Sequence, residues 1–246
     1  MNGQGMLIAV EGPGGVGKST VTAALTTLLR DEFAVNVCAT REPTDTPLGT
    51  MARQGTDVYR GLAMAHLIAA DRYQHLDEQI RPAMARGEIV VCDRYIASSL
   101  VLQVMDGVDR ETVWRMNEAA ERPDLVVLLT AHPDVLTNRL ARRGTHSRFE
   151  RETDSSHIEY GLFAEAAKFL ADRDVPIVEL DATAADPDTL ARIIAGDVLT
   201  MRSHKSHAPG RADLQPQQPV PGASGEATLV PDRPAGAGPR TDRDGA

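Results

Sequence analysis

The stretch AVEGPGGVGKSTV, Ala9 to Val21, sets four glycines and one lysine between an apolar run and a segment of helical periodicity. Gly12, Gly17, Lys18 and Ser19 satisfy the spacing G-x-x-x-x-G-K-[ST] without a mismatch. Glycines at a strand-to-helix turn leave backbone N–H groups unobstructed, and the positive end of the helix dipole adds to them, so such a turn suits a chain of phosphates. Gly12, Pro13, Gly14, Gly15, Val16, Gly17, Lys18, Ser19 and Thr20 are therefore expected to hold a nucleoside triphosphate. Lys18 then lies on the β- and γ-phosphates and the Ser19 hydroxyl on Mg2+.

Three other stretches offer chemistry that such a loop needs. In VVCDRYIASS, Asp93 and Arg94 close an apolar run. They are either a magnesium-supporting carboxylate and a phosphate-gripping arginine or a plain strand-end salt bridge. In TREPTDTPLG, Arg41 and Glu42 precede prolines that stiffen a loop. In LARRGTHSRFER, Leu140 to Arg151, arginines crowd a glycine-broken segment after a helix. That segment is either a solvated charge run or a flap that neutralises a phosphoryl group in flight and shuts out water.

These residues must be positioned by strands and helices. Apolar runs rich in Val, Ile and Leu recur at Met6 to Val10, Ala34 to Ala39, Glu88 to Cys92, Leu125 to Thr130 and Pro176 to Leu180. Helical patterns lie between them, at Lys18 to Arg30, Val58 to Met84, Ser98 to Met105, Arg110 to Glu121, Pro133 to Arg142, Ser155 to Ala171 and Pro187 to Val198. The alternation predicts an α/β fold, a five-stranded parallel sheet flanked by helices, with ligands gathered at the carboxyl ends of the strands. Past Arg202 the chain turns to Pro, Gly, Ala and Ser without periodicity, so a domain over 1–202 and a disordered tail over 203–246 are expected. The tail opens with SHKSH, which reads as a polar linker in preference to a metal site.

The 246 residues carry a net charge of −9, which argues against a nucleic-acid partner, whose phosphates attract basic faces. The two cysteines, Cys38 and Cys92, have no metal-ligand spacing and fall in apolar runs, as buried reduced thiols of a cytoplasmic protein would. The first residues lack the basic start and long apolar run of a signal peptide or membrane span.

The motifs EGPGGVGKST, TREPTDTPLG, AADRYQH, VVCDRYIASSLVLQ, RPDLVVLL and RRGTHSRFERE, in this order, resemble the thymidylate kinases of bacterial type from about Met6 to Thr200. The resemblance implies a P-loop NTPase fold and transfer of the ATP γ-phosphate to dTMP, giving dTDP. It implies that Lys18 and Ser19 hold ATP and Mg2+, that Asp93 supports the metal and that Arg94 grips the acceptor phosphate. Arg72 then faces the thymine edge with Ser98, Ser99 and Gln103 nearby, and Glu42 lies near the acceptor sugar. The lid supplies Arg142, Arg143 and Arg148, while Gly15 occupies a loop position that carries an arginine in other members. A homodimer is implied as well, for which Trp114, Val113 and Met116 offer a face, although core packing explains them equally.

The chain departs from the family pattern chiefly on the acceptor side. Ile68 replaces a base-stacking aromatic residue, and Leu102 a tyrosine that helps exclude a ribose 2′-hydroxyl. Gly14 replaces a loop carboxylate, Ser147 an aspartate before the lid arginine, and VMDGVD shortens the segment after Gln103. These changes leave two alternatives beside a dTMP kinase: a kinase for another pyrimidine or modified nucleoside monophosphate, and a non-catalytic nucleotide-binding protein.

Overall fold

A computed structural model describes residues 5–145 and 147–207. Five strands, β1 (Met6–Glu11), β2 (Val37–Arg41), β3 (Ile89–Asp93), β4 (Leu125–Thr130) and β5 (Ile177–Asp181), form one sheet in the order β2-β3-β1-β4-β5. All four pairings are parallel. The expected α/β architecture is the observed one. Alternation along the strands feeds two cores. Leu7, Ala9, Val90, Cys92, Val126 and Leu128 face one cluster, and Met6, Ile8, Val10, Ile89, Val91, Val127 and Leu129 the other.

Helices cover both faces. On one side lie α1 (Lys18–Asp31) and α10 (Pro187–His207), packed through Val21, Leu25, Leu29, Leu190, Ile194 and Val198. On the other lie α3 (Gly61–His75), α5 (Ile96–Met105), α6 (Arg110–Met116) and α9 (Ser155–Ala171), which contribute Ala65, Leu100, Val113 and Phe163. Between β2 and α3 runs α2 (Pro47–Gln54), and a π-helical turn, Leu76–Ile80, joins α3 to α4 (Arg81–Ala85). After β4 come α7 (Pro133–Arg143) and the short α8 (Arg148–Arg151).

Several boundaries differ from the sequence expectation for local reasons. Ala34 takes φ +51° in a turn after α1, so β2 begins at Val37 instead of Ala34. The stretch read as a loop after Glu42 contains α2, started by Pro47 at the first position and by the Thr46 hydroxyl, which accepts from Gly49 N. The helix expected over Val58 to Met84 begins at Gly61 and widens to π geometry at Leu76. α6 stops at Met116, short of Glu121. α10 continues to His207, so residues 203–207 are helical and not the start of a tail, and Lys205 pairs with Asp124. The rest of the expected tail, 208–246, lies outside the described residues.

Cys92 is buried and Cys38 only half-buried, neither in a disulfide. Trp114 packs edge-on against Phe169 at 5.9 Å, with Arg122 and Arg173 over its ring. No helix among the described residues is long and apolar enough to cross a membrane.

Candidate active site

The register of the sheet brings the chemistry together. Val10 pairs with Asp93, and Arg94 N donates to Val10 O at 2.9 Å, so the segment leaving β3 runs beside the loop leaving β1. In that loop Gly12 has φ +139° and a Cβ there would sit 2.3 Å from Leu129 O, while Gly17 has φ +106°. Neither position admits a side chain without strain. The Lys18 ammonium folds back into the loop and donates to Gly12 O and Pro13 O, each at 2.8 Å. Burial lowers its pKa to about 7, helped by the Arg94 charge and opposed by Asp93, Glu159 and Glu11. An ammonium held only by carbonyls and poorly hydrated is well placed to meet an anionic phosphate chain.

Ser19 Oγ donates to Asp93 Oδ2 at 2.5 Å, and Asp93 Oδ1 is buried without a hydrogen-bond partner. A hydroxyl beside a carboxylate oxygen with spare capacity is a hard-oxygen donor set, which fits magnesium. A second group of metal-ligating types, Glu42, His75 and Cys92, lies within 4.8 Å of itself, but it offers nitrogen and sulfur and its Glu42 is already paired by Arg72. The Ser19 and Asp93 pair is the better match for this ion.

Beyond Asp93 the chain enters left-handed backbone at Arg94, φ +72°, and its guanidinium donates to Ser98 Oγ at 3.1 Å. Glu11, fully buried at the end of β1, holds this segment from below. Its Oε1 accepts from Tyr95 N at 2.8 Å and Ser98 N at 3.2 Å, and its Oε2 from Ser98 Oγ at 2.6 Å. Desolvation raises the Glu11 pKa above its ordinary value despite those donors.

Arg72 is 1% exposed. It donates from Nε to Glu42 Oε2 at 2.8 Å, from Nη2 to Ser99 Oγ at 3.0 Å and from Nη1 to Asn117 Oδ1 at 2.5 Å, and its Nη2 also lies 2.7 Å from Glu42 Oε2. One N–H of the guanidinium's five is left for a ligand. The other Glu42 oxygen meets His75 Nδ1 at 3.1 Å, and His75 Nε2 meets Thr40 Oγ1 at 2.7 Å. Gln103 Oε1 is buried and without a partner, an acceptor available to a ligand N–H.

Lys18, Ser19, Asp93, Arg94, Glu42, Arg72 and Gln103 all open on one cleft of about 820 Å³, with Glu11, His75 and Asn117 behind them. Lys18, Ser19, Thr20, Asp93 and Arg94 line it. Glu42, Met64, Ile68, Arg72, Ser98, Ser99, Leu102 and Gln103 line it too, all but Glu42 from α3 and α5, and Arg139, Ala182, Ala185, Pro187 and Leu190 also border it. Ile68 and Leu102 both line the cleft, beside Met64, Ser99 and Gln103. Gly15, Val16 and Gly17 border the cleft, whereas Gly12, Pro13 and Gly14 form the loop behind it.

The three lid arginines part company. Arg143 lines the cleft and pairs with Glu150 at 2.7 Å. Arg148 does not line it: 9% exposed, it pairs with Asp106 Oδ2 at 2.7 Å, donates to Thr56 O and stacks on Phe149 at 4.2 Å. Arg142 lies exposed on the last turn of α7 and away from the cleft. The expected set of three is therefore one cleft residue, one residue pinning α8 to the 56–59 loop and one surface residue. Residues the motifs do not single out also border or support the site. Asn117, 4% exposed, completes the Arg72 shell, and Phe149 and Arg53 line the cleft. Asp71 anchors the loop after β2 by accepting from Thr44 N at 2.8 Å and Thr44 Oγ1 at 2.5 Å. The nearest sequence signal for these is their proximity to motif residues: Asp71 precedes Arg72, and Phe149 follows Arg148.

The family model for thymidylate kinase matches residues 10–184. A probable thymidylate kinase of Caldivirga maquilingensis is 33% identical over 205 residues, which are 82% of this chain and 95% of that protein. The thymidylate kinase of Xanthomonas campestris pv. campestris is 39% identical over 142 residues, 57% of this chain and 62% of that enzyme. That of Xanthomonas euvesicatoria pv. vesicatoria is 34% identical over 190 residues, 76% and 80% of the two.

Proposed function

The chain belongs to the thymidylate kinase family, and we propose that its cleft carries out that family's reaction, ATP-dependent phosphorylation of dTMP, with the residues described above. The observation that carries this reading is the single cleft shared by the phosphate loop, the Asp93 and Arg94 pair and the buried Arg72 shell. Binding of a triphosphate alone needs only the first of these.

In this reading the loop amides and Lys18 take the ATP phosphates. Ser19 and Asp93 hold Mg2+, which when bound neutralises phosphate charge. Arg94 holds the acceptor phosphate in line with the phosphoryl group, and Arg143, once released from Glu150, adds a positive charge from the lid. The attacking atom is a phosphate oxygen that is anionic at neutral pH, so no side chain must take a proton from it. Positioning and charge neutralisation suffice. Arg72, with one N–H unspent, and Gln103, with an unpartnered Oε1, present a donor and an acceptor suited to the carbonyl and N–H of a pyrimidine-dione edge.

A second reading, a kinase of broader pyrimidine scope, is favoured by the aliphatic acceptor wall of Met64, Ile68 and Leu102. Aliphatic side chains bury a base without the added 0.5 to 1.5 kcal/mol or so of ring stacking, and they offer a 2′-hydroxyl no aromatic obstacle. ADP release measured with ATP, Mg2+ and each of dTMP, dUMP, UMP and CMP, beside Lys18→Ala, separates the two. Turnover of dTMP that Lys18→Ala abolishes supports the kinase, comparable turnover of UMP supports the broader scope, and no turnover of any acceptor overturns both.

A further inference from the structure

The tip of the phosphate loop is held by a residue from the far end of the chain. Glu159, in the second turn of α9, is 2% exposed, and its Oε2 accepts from Gly14 N at 2.8 Å across 145 positions of sequence. No lysine, arginine or histidine forms an ion pair with it among the described residues, whereas most carboxylates buried to this degree are paired. α9 itself is anchored in the core by Phe163, Ala166 and Leu170, so the carboxylate is presented by a rigid element. Gly14 also lies against the lid: a Cβ there would come within 3.0 Å of Glu150 Oε1, the side chain that pairs with Arg143.

We propose that Glu159 is a positioning residue for ATP: it latches the tip of the phosphate loop to the helix that follows the lid. A loop built on glycines has many conformations to lose when it wraps phosphates. One of its N–H groups, fixed in advance by a charged acceptor, confines the others to the cradle before ATP arrives. Glu159 does not border the cleft, so it acts through the loop and not by touching a phosphate. Its position just beyond α8 makes the same helix the support of both the loop and the lid.

The inference rests on the loop being the ATP site, which turnover by the unaltered chain tests separately. Glu159→Ala and Glu159→Gln are compared by calorimetric binding of a non-hydrolysable ATP analogue with Mg2+ and by steady-state kinetics against both substrates. Glu159→Ala is expected to weaken the analogue and raise KM for ATP about tenfold, with KM for dTMP within about twofold, the loss that follows from removing one charge-assisted hydrogen bond. Glu159→Gln, which keeps an oxygen for Gly14 N, is expected to restore most of that affinity. A poorly folded variant would instead lower kcat with both KM values intact, so thermal unfolding without ligand accompanies the series. Unchanged ATP affinity in Glu159→Ala, an equal rise in both KM values, or a Glu159→Gln no better than Glu159→Ala would overturn the latch.

Discussion

Glu42→Ala offers the most direct test of how the acceptor half is built. Arg72 and Glu42 are 1% and 6% exposed, and the two nitrogens of Arg72 nearest Glu42 lie 2.8 and 2.7 Å from one oxygen. Deleting the carboxylate leaves a guanidinium buried with only Ser99 and Asn117 as acceptors, and strands His75 Nδ1. Breaking one side of a buried pair costs about 3 to 5 kcal/mol, far above the 0 to 1 of a surface pair such as Arg192 with Glu32. For a domain of this size about 2 to 4 °C of Tm accompanies each kcal/mol, so a fall of roughly 6 to 20 °C is expected in a thermal scan. Glu42→Gln, which keeps one acceptor, should fall about half as far. ATP binding, which uses the loop after β1, should survive in whatever fraction is folded, while dTMP binding should not. Replacing both partners, Arg72→Met with Glu42→Leu, should cost less than the sum of the single changes, because no charge is left stranded. A Glu42→Ala protein that melts within 2 °C or so of the parent would refute the claim that this pair is dry and mutually dependent.

Lys18→Ala should lower turnover at least about a hundredfold, as loss of a fixed charge at a developing transition state does, checked by ADP release. In the magnesium-free protein the folded state holds its Lys18 proton less tightly than the unfolded chain, about 7 against the ordinary 10.5, so stability should rise with pH between those values. Differential scanning of the parent beside Lys18→Met should show that rise in the parent alone. Asp93→Asn should raise the Mg2+ concentration for half-maximal activity about tenfold, seen in a metal titration, with folding preserved. Leu102→Tyr should shift the ratio of kcat/KM for dTMP over UMP upward roughly tenfold by narrowing the wall beside the sugar, measured with the two acceptors in parallel.

What the sequence disclosed tracks the range of each interaction. Gly12 to Ser19 and Asp93 with Arg94 are legible because each is a short run whose function depends on local backbone geometry, and parallel register brings the two runs together. The strands were legible in number and order of occurrence, but the onset of β2 was not, because it depends on a left-handed turn at an ordinary alanine. α2 carried its own cap in Thr46 and Pro47, yet its proline-rich entry reads equally as loop. Asn117 and Glu159 act on the site from distant elements without lining the cleft, and nothing in their neighbours marks them; only the packing around α6 and α9 does, while Phe149 has no signal beyond its place after Arg148. Arg148 shows the converse limit. Its place in an arginine cluster suggests phosphate, but its charge is consumed by Asp106, a residue 42 positions earlier.

The division of labour across the cleft bears on how such a protein can change its diet of substrates. The groups we assign to phosphate sit at the carboxyl ends of β1 and β3, braced by Glu11 within the sheet. The groups we propose to face the acceptor's base and sugar sit on α3 and α5, where Met64, Ile68 and Leu102 contribute only apolar surface. Mutations in that wall alter shape without touching the hydrogen bonds that align the sheet ends. Acceptor choice can therefore drift, one aliphatic side chain at a time, while the machinery of transfer is inherited intact.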